Sequence, residues 1–380
     1  MSKVRILVSG VGLRLRHVLE RTFAYLEDFE VVGVFDPYAP NVEKFQELLE
    51  KPARVAETYE ELVEIPADWV FIGSPNNQHP PQVLAAVEKG LNIFCEKPLA
   101  PIYEDLVRLH EALKDYPNHF FFGLVLRYSP FYQKLKEVME SGRVGEVLSF
   151  EFNEVLGPSH GGYIMGNWRR NSAVAGTHIL EKCCHDIDIA NWLMGTLPSR
   201  VASMGGQRFY TPENGEKGGV TNHEGQLYKL YRSWEDPLRE DPFTADKDIV
   251  DHQVVLLEYQ NGVKASFHTN LHCAIPERRF FISGSDGAVR GDVIQGIIEV
   301  KGVADTEIEV IDLDYGKGGH GGGDQYMSRL LGELVSGKGT APAAGIAEAV
   351  RASVPCYGID EALDNGTVVD LKRYWEPFGI

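Results

Sequence analysis

The chain has no run of about 18 apolar residues that would cross a bilayer. The apolar stretch before Gly10, in MSKVRILVSG, is too short for a secretory leader, and a cytoplasmic protein is the expectation. Cations are scarce: 37 Lys plus Arg stand against 55 Asp plus Glu, a net charge of -18. Nucleic-acid backbones and anionic membranes are gripped by clustered cations, so neither is expected as a partner and a small molecule is. Cysteines number five (Cys95, Cys183, Cys184, Cys273, Cys356), an odd and scattered set that suits reduced thiols. The adjacent Cys183-Cys184 pair lacks the second spaced pair of a structural zinc site, so these two read as small buried residues and no metal is expected. There is no internal repeat and no low-complexity segment. What is present is 43% hydrophobic residues in a 380-residue chain, enough for two domains with sizeable cores.

The first 125 residues alternate short apolar runs (Val4–Ser9, Val31–Phe35, Trp69–Gly73, Asn92–Cys95, His119–Gly123) with helix-period segments (His17–Leu26, Val42–Leu49, Pro81–Lys89, Tyr103–Lys114). That rhythm specifies βαβ units and a doubly wound parallel sheet, assigned to residues 1–126. Over 127–380 the pattern changes to longer strand-like stretches, with Asn261-Gly262 between two apolar runs as a hairpin signal. Helical patterns interrupt them at Phe131–Ser141, Ile179–Leu193, Gly323–Val335 and Gly345–Leu363. The expectation there is an α+β domain with one large open, mostly antiparallel sheet. A strand is expected at Ile294–Val300, and the polar stretch 211–251 reads as a long excursion from the sheet.

Gly10-Val11-Gly12 follows a strand and precedes a helix, and Asp36 closes the next strand. In a dinucleotide site the first glycine makes the turn, the second admits pyrophosphate, and the acid accepts from the ribose hydroxyls while repelling a 2′-phosphate. NAD is therefore favoured over NADP. Leu15 stands where a third small residue is usual, so the helix is expected to sit further off the sheet. Leu13 and Arg14 start that helix. Arg14 could meet a phosphate, its plain alternative being a solvated surface residue.

Further motifs are Ser74-Pro75-Asn76 through His79, Cys95-Glu96-Lys97-Pro98, Arg127-Tyr128-Ser129-Pro130 and Gly142-Arg143-Val144-Gly145. Farther on come Glu181 through His185 with Asp188, and Gly319-His320-Gly321-Gly322-Gly323-Asp324. Together they resemble the glucose-fructose oxidoreductase, inositol dehydrogenase and rhizopine-catabolism (Gfo/Idh/MocA) family across nearly the whole chain. The resemblance implies a Rossmann domain followed by an open-sheet domain, an NAD cofactor, and a homo-oligomer formed through that sheet. It implies cofactor contacts at Ser74, Pro75, Asn76, His79, Glu96, Lys97 and Arg127, in addition to Gly10, Gly12, Leu13, Arg14 and Asp36.

Lys97 sits at the carboxyl end of a parallel strand, where ligands of open α/β sheets bind, and an ammonium there stabilises charge developing on a substrate oxygen. Glu181, His185 and Asp188 fall at i, i+4 and i+7 of the expected helix Ile179–Leu193, one stripe of titratable groups lining a cavity. His185, with an ordinary pKa near 6.5, suits proton exchange with a hydroxyl. The family commonly has Asp where Glu181 stands. Lys182 either enters the site or pairs with Asp186 at i+4. Trp168 and Arg169 suit a sugar, the ring covering C–H faces and the guanidinium forking onto hydroxyls or a carboxylate. Tyr128, His160, Tyr163 and His320 are weaker candidates of that kind. The expected catalytic set is Lys97, His185 and Glu181; the expected substrate contacts are Lys97, Tyr128, Trp168, Arg169, Glu181, Lys182 and His185. Three functions fit these residues: a dehydrogenase acting on a sugar, sugar acid or cyclitol hydroxyl, a redox-neutral NAD-dependent glycoside-cleaving enzyme, and a non-catalytic NAD and sugar sensor.

Overall fold

A computed structural model describes residues 3–219, 231, 234, 238–315, 320–339 and 341–380. Gly319 of the glycine-rich motif and much of the expected excursion lie outside the described residues. The chain forms two compact units: Met1–Ser129 with Gly322–Val350, and Pro130–Gly321 with Arg351–Ile380.

In the first unit β1 (Val4–Ser9), β2 (Phe29–Phe35), β3 (Arg54–Val55), β4 (Trp69–Ile72), β5 (Asn92–Cys95) and β6 (Phe120–Phe122) form a parallel sheet in the order β3-β2-β1-β4-β5-β6. Helices α1 (Leu13–Phe23), α2 (Ala39–Gln46), α3 (Tyr59–Val63), α4 (His79–Glu88) and α5 (Tyr103–Leu113) connect the strands. The chain order reverses beside β1, the place where such sheets leave a crevice at their carboxyl ends. The central strands are continuously apolar because both faces are covered. Phe71, Phe94 and Phe121 step across β4, β5 and β6 with ring centroids 5.4 and 5.7 Å apart, and Tyr128 stacks on Phe121 at 5.7 Å.

The second unit holds α6 (Pro130–Glu140), β7 (Val147–Val155), α7 (Pro158–Gly166), α8 (Ser172–Ala175), α9 (His178–Glu181) and α10 (Cys184–Met194). These are followed by β8 (Pro198–Gly206), β9 (His252–Tyr259), β10 (Lys264–Asn270), β11 (Arg279–Gly284), β12 (Gly287–Asp292), β13 (Ile297–Gly302) and β14 (Glu309–Asp312). Helix α11 (Gly323–Val335) belongs to the first unit, and α12 (Ile346–Asn365), β15 (Val369–Asp370) and α13 (Lys372–Trp375) close the chain. Nine strands run in the order β14-β13-β12-β11-β7-β10-β9-β8-β15. All neighbours are antiparallel except β7 and β10. The Asn261-Gly262 turn joins β9 to β10 as expected, Gly262 taking a φ of 88°. Of the strand expected at Ile294–Val300, only Ile297–Val300 lie in β13; Ile294–Gly296 belong to the turn from β12, where Gly296 takes a φ of 76°, and β12 itself was not expected. Along β9, Val255, Leu257 and Tyr259 are buried while Val254 and Leu256 are exposed, so one face of the sheet is covered and the other open. Among the described residues no helix is long and apolar enough to cross a membrane.

Candidate functional site

At the nucleotide end, Gly10 turns with φ 75°, and a Cβ there would lie 2.2 Å from the Ser74 amide nitrogen. Only glycine fits. A Cβ on Gly12 would meet nothing within 4 Å, which leaves the start of α1 open to a phosphate. Leu15 does not push α1 away from the sheet, contrary to expectation. A Cβ on Gly73, just after β4, would sit 2.6 Å from the Leu15 Cβ, so the small residue that close packing demands has moved from helix to strand end.

Asp36 accepts from the Tyr38 amide at 2.9 Å and from Asn41 Nδ2 at 3.2 Å, holding the loop that follows β2. Burial raises its pKa while these bonds pull against that shift. Arg14 is not a solvated surface residue. Its Nε donates to Glu96 at 2.9 Å and its Nη1 to Asp324 at the start of α11. The buried Glu96 is thereby fixed beside Lys97, whose bond to Pro98 is cis. His79 sets its ring nitrogens against the carbonyls of Pro98 (2.7 Å) and Ser74 (2.9 Å), tying the Ser74-Pro75-Asn76 segment to the Glu96-Lys97-Pro98 segment. The Ser74 hydroxyl donates to Gln82 at 2.8 Å. Arg127 is buried and donates to the Ala343 carbonyl at 3.4 Å, and Tyr128 is buried against Phe121.

In the second unit the helix expected at Ile179–Leu193 is broken. Thr177 caps α9 by accepting from Leu180 N at 3.4 Å, and Cys183 starts α10 by accepting from the amides of Asp186 (2.9 Å) and Ile187 (3.0 Å). Glu181 and His185 therefore stand on two helices and do not share one stripe. Both are buried, as is Asp188. The His185 ring lies 5.9 Å from that of His320.

Lys182 does not pair with Asp186. Its Nζ reaches Glu154 on β7 at 3.0 Å, and Asp186 is held by Arg278 through Nε at 2.7 Å and Nη2 at 2.8 Å. Arg278 Nη1 also contacts Glu154 at 3.1 Å. Burial, reinforced by the Glu154 charge, pushes Asp186 up to about 7. Against the upward push of burial, Arg278 and Lys182 hold Glu154 well below the usual carboxylate range. Glu154, Cys183 and Asp186 bring their polar atoms within 4.8 Å of one another. The carboxylates there are engaged by two cations, and burial raises the Cys183 thiol, a poor donor set for a metal.

Arg169 organises the sugar-like cluster. Its Nε donates to Glu181 at 3.0 Å, and its Nη1 donates to the Tyr163 hydroxyl at 3.1 Å and to Asn167 Oδ1 at 3.0 Å. The guanidinium carbon lies 4.3 Å from the centre of Trp168 and 5.4 Å from that of Tyr163. Burial, then the Lys182 charge, holds the His160 pKa well below its ordinary value. Trp168, Arg169 and Glu181 thus come together with Tyr163 as the residue types suggested. Trp234, whose ring meets His160 at 5.0 Å and Tyr163 at 4.7 Å, was missed. It lies in the polar excursion, and no local pattern there tells one aromatic from another.

The family model for the NAD-binding Rossmann fold of the oxidoreductase family matches residues 4–124, and the GFO/IDH/MocA C-terminal domain matches residues 132–290. The first unit is thus an NAD-binding Rossmann domain. YteT of Bacillus subtilis is 23% identical over 359 residues, covering 82% of this chain and 83% of that protein. The levoglucosan dehydrogenase of Pseudarthrobacter phenanthrenivorans is 27% identical over 223 residues, 58% of this chain and 54% of that one. A levoglucosan dehydrogenase solved with NADH and levoglucosan superposes with a TM-score of 0.77 at 18% identity, over 98% of this chain and 100% of that one. That likeness establishes the fold.

Proposed function

Because this chain belongs to the Gfo/Idh/MocA family of oxidoreductases, we propose that it moves a hydride between a carbinol carbon of a sugar or cyclitol and NAD. The observation that carries this reading is the Trp168–Arg169–Glu181 set with Tyr163: aromatic faces suited to the C–H surfaces of a sugar beside the Arg169–Glu181 ion pair. The relatives named as levoglucosan and inositol 2-dehydrogenases act on such molecules and support the substrate class.

In this reading the carbinol C–H leaves as hydride and the hydroxyl proton passes to His185, giving a ketone. Lys97 donates to the oxygen and offsets the negative charge that builds on it. NAD, when bound, takes the hydride. Glu181, locked by Arg169, orients a neighbouring hydroxyl. Asp36 favours NAD over NADP through its charge. The open sheet face, with Met204, Val254 and Leu256 exposed, would take a second copy of the chain.

A panel of sugars, sugar acids and cyclitols supplied with NAD, read by the absorbance of NADH, tests the reading. Turnover of at least one polyol is expected, and Lys97→Ala should lower kcat by about a hundredfold or more while NAD binding survives. No turnover by a protein that binds NAD would leave a sensor. Release of an aglycone without net NADH would mark a redox-neutral glycoside-cleaving enzyme.

A further inference from the structure

Trp234 is 40% exposed and has aromatic neighbours on one side. Its position is built rather than incidental. Three residues earlier Tyr231 is buried in a satellite core with Tyr210, Phe243 and Leu271. The Tyr231 backbone seats directly on α7: a Cβ on Gly162 would come within 2.5 Å of Tyr231 Cβ and of its carbonyl oxygen. With Tyr231 anchored there, Trp234 meets His160 and Tyr163 edge to face, at 5.0 and 4.7 Å. Tyr163 in turn lies 5.4 Å from the Arg169 guanidinium that holds Glu181. The aromatic surface therefore continues outward from the sugar-type cluster by one further ring.

The charges beneath this surface are matched. Arg169 faces Glu181, Lys182 faces Glu154, and Arg278 is shared between Glu154 and Asp186. An anionic substituent would gain little from cations already compensated and would approach buried carboxylates. A neutral ring with an apolar face suits the shelf, since stacking on tryptophan and tyrosine needs no charge.

We propose that Trp234, with Tyr163 and His160, forms a second subsite that takes a neutral ring glycosidically linked to the sugar being oxidised. The substrates are then glycosides, with Trp234 as a specificity-determining residue. This rests on the sugar-dehydrogenase reading and adds the size and charge of the substrate to it. The linked ring is either a second sugar or an aryl aglycone.

The test is calorimetric titration of the NADH-saturated protein with hexopyranosides of gluco, galacto, manno and rhamno configuration in both anomers, each as the methyl glycoside, the 4-nitrophenyl glycoside and a glucose-linked disaccharide. For the configuration that binds, a ring-bearing glycoside should bind about tenfold or more tightly than the methyl glycoside, equivalent to about 1.4 kcal/mol. Trp234→Ala should bring that ratio close to one. Trp234→Phe should retain most of it, and Trp234→Leu, which keeps bulk without the π face, should not. A gain confined to nitrophenyl glycosides identifies an aryl aglycone, and one confined to disaccharides a second sugar. A ratio near one in the unmodified protein, or a preference that survives Trp234→Ala, overturns the subsite and leaves the dehydrogenase reading standing. Failure of every compound to bind, methyl glycosides included, overturns the subsite, and the dehydrogenase reading then stands or falls on the polyol panel alone.

Discussion

Asp360 on α12 receives a hydrogen bond from the Thr177 hydroxyl at 2.7 Å, and burial pushes its pKa up to about 8. An unfolded aspartate titrates near 3.9, so between those values the native chain holds a proton that the unfolded chain has released. Stability should fall as pH rises from ~4 to ~8 and level off above that. Asp360→Asn, which keeps an acceptor for Thr177, should lose this slope. Its Tm should match the parent near pH ~3, below the unfolded pKa, and exceed it increasingly up to pH ~8 and beyond, as read by calorimetry across pH. Superimposable curves would show that the carboxylate ionises there without cost. Because Thr177 also caps α9, the proton on Asp360 sits one short helix from Glu181. Asp36 makes a separate prediction. Asp36→Ala should weaken NAD more than NADP, since it removes a ribose acceptor and relieves repulsion of the 2′-phosphate. Equal losses in the two Kd values would reduce Asp36 to the loop-holding role its bonds to Tyr38 and Asn41 already show.

Elements meet at surfaces, and the approach of α1 to β4 is set by the pair Leu15 and Gly73. Gly73→Ala places a methyl 2.6 Å from the Leu15 Cβ and should destabilise the protein by about 1–3 kcal/mol. In a Leu15→Gly background the added cost of Gly73→Ala should nearly vanish, a coupling that denaturant melts of the four variants measure. The same contact marks a limit of sequence reading. Leu15 departs visibly from the glycine pattern, but its compensation lies 58 residues away, at a position that looks like an ordinary strand end. Elements with enough periods were legible: β1, β5 and α5 fall where alternation and the 3.6 repeat put them. β3 and α3, of two and five residues, carry too little pattern to be seen. The break between α9 and α10 was hidden because no helix-breaking residue stands in Glu181-Lys182-Cys183-Cys184. The turn is made by backbone bonds to Cys183 rather than by Gly or Pro. Arg278, which fixes Asp186 from β11's edge, is likewise silent in sequence, since nothing local links it to a residue 92 positions earlier.

For the whole molecule, the first unit draws on two distant stretches of chain. Helix α11 lies against α1, where Ser328 Oγ donates to the Val18 carbonyl at 3.4 Å and Gly332 leaves room for Tyr25, and Asp324 closes on Arg14. The unit's composition suggested a self-sufficient βαβ domain, because propensity and patterning report local order and not which later helix covers an exposed face. A fragment ending at Ser129 should therefore be unstable, exposing the α1 surface, binding a hydrophobic dye and losing NAD affinity. Supplying residues 322–350 through a short linker should restore a cooperative melt. A fragment of 1–129 that melts cooperatively and binds NAD as the full chain does would refute this.

Helix α11 also sets an order of events during synthesis. Roughly 190 residues separate Ser129 from Gly322, which at about 5–20 residues per second amounts to some ten to forty seconds on the ribosome. Throughout that interval α1 waits with one flank bare, while residues 130–321 of the second unit emerge and begin their own collapse. Completion of the nucleotide-binding half is thereby deferred until residues 322–350 have emerged, so no chain that stops short of them carries a finished cofactor cradle.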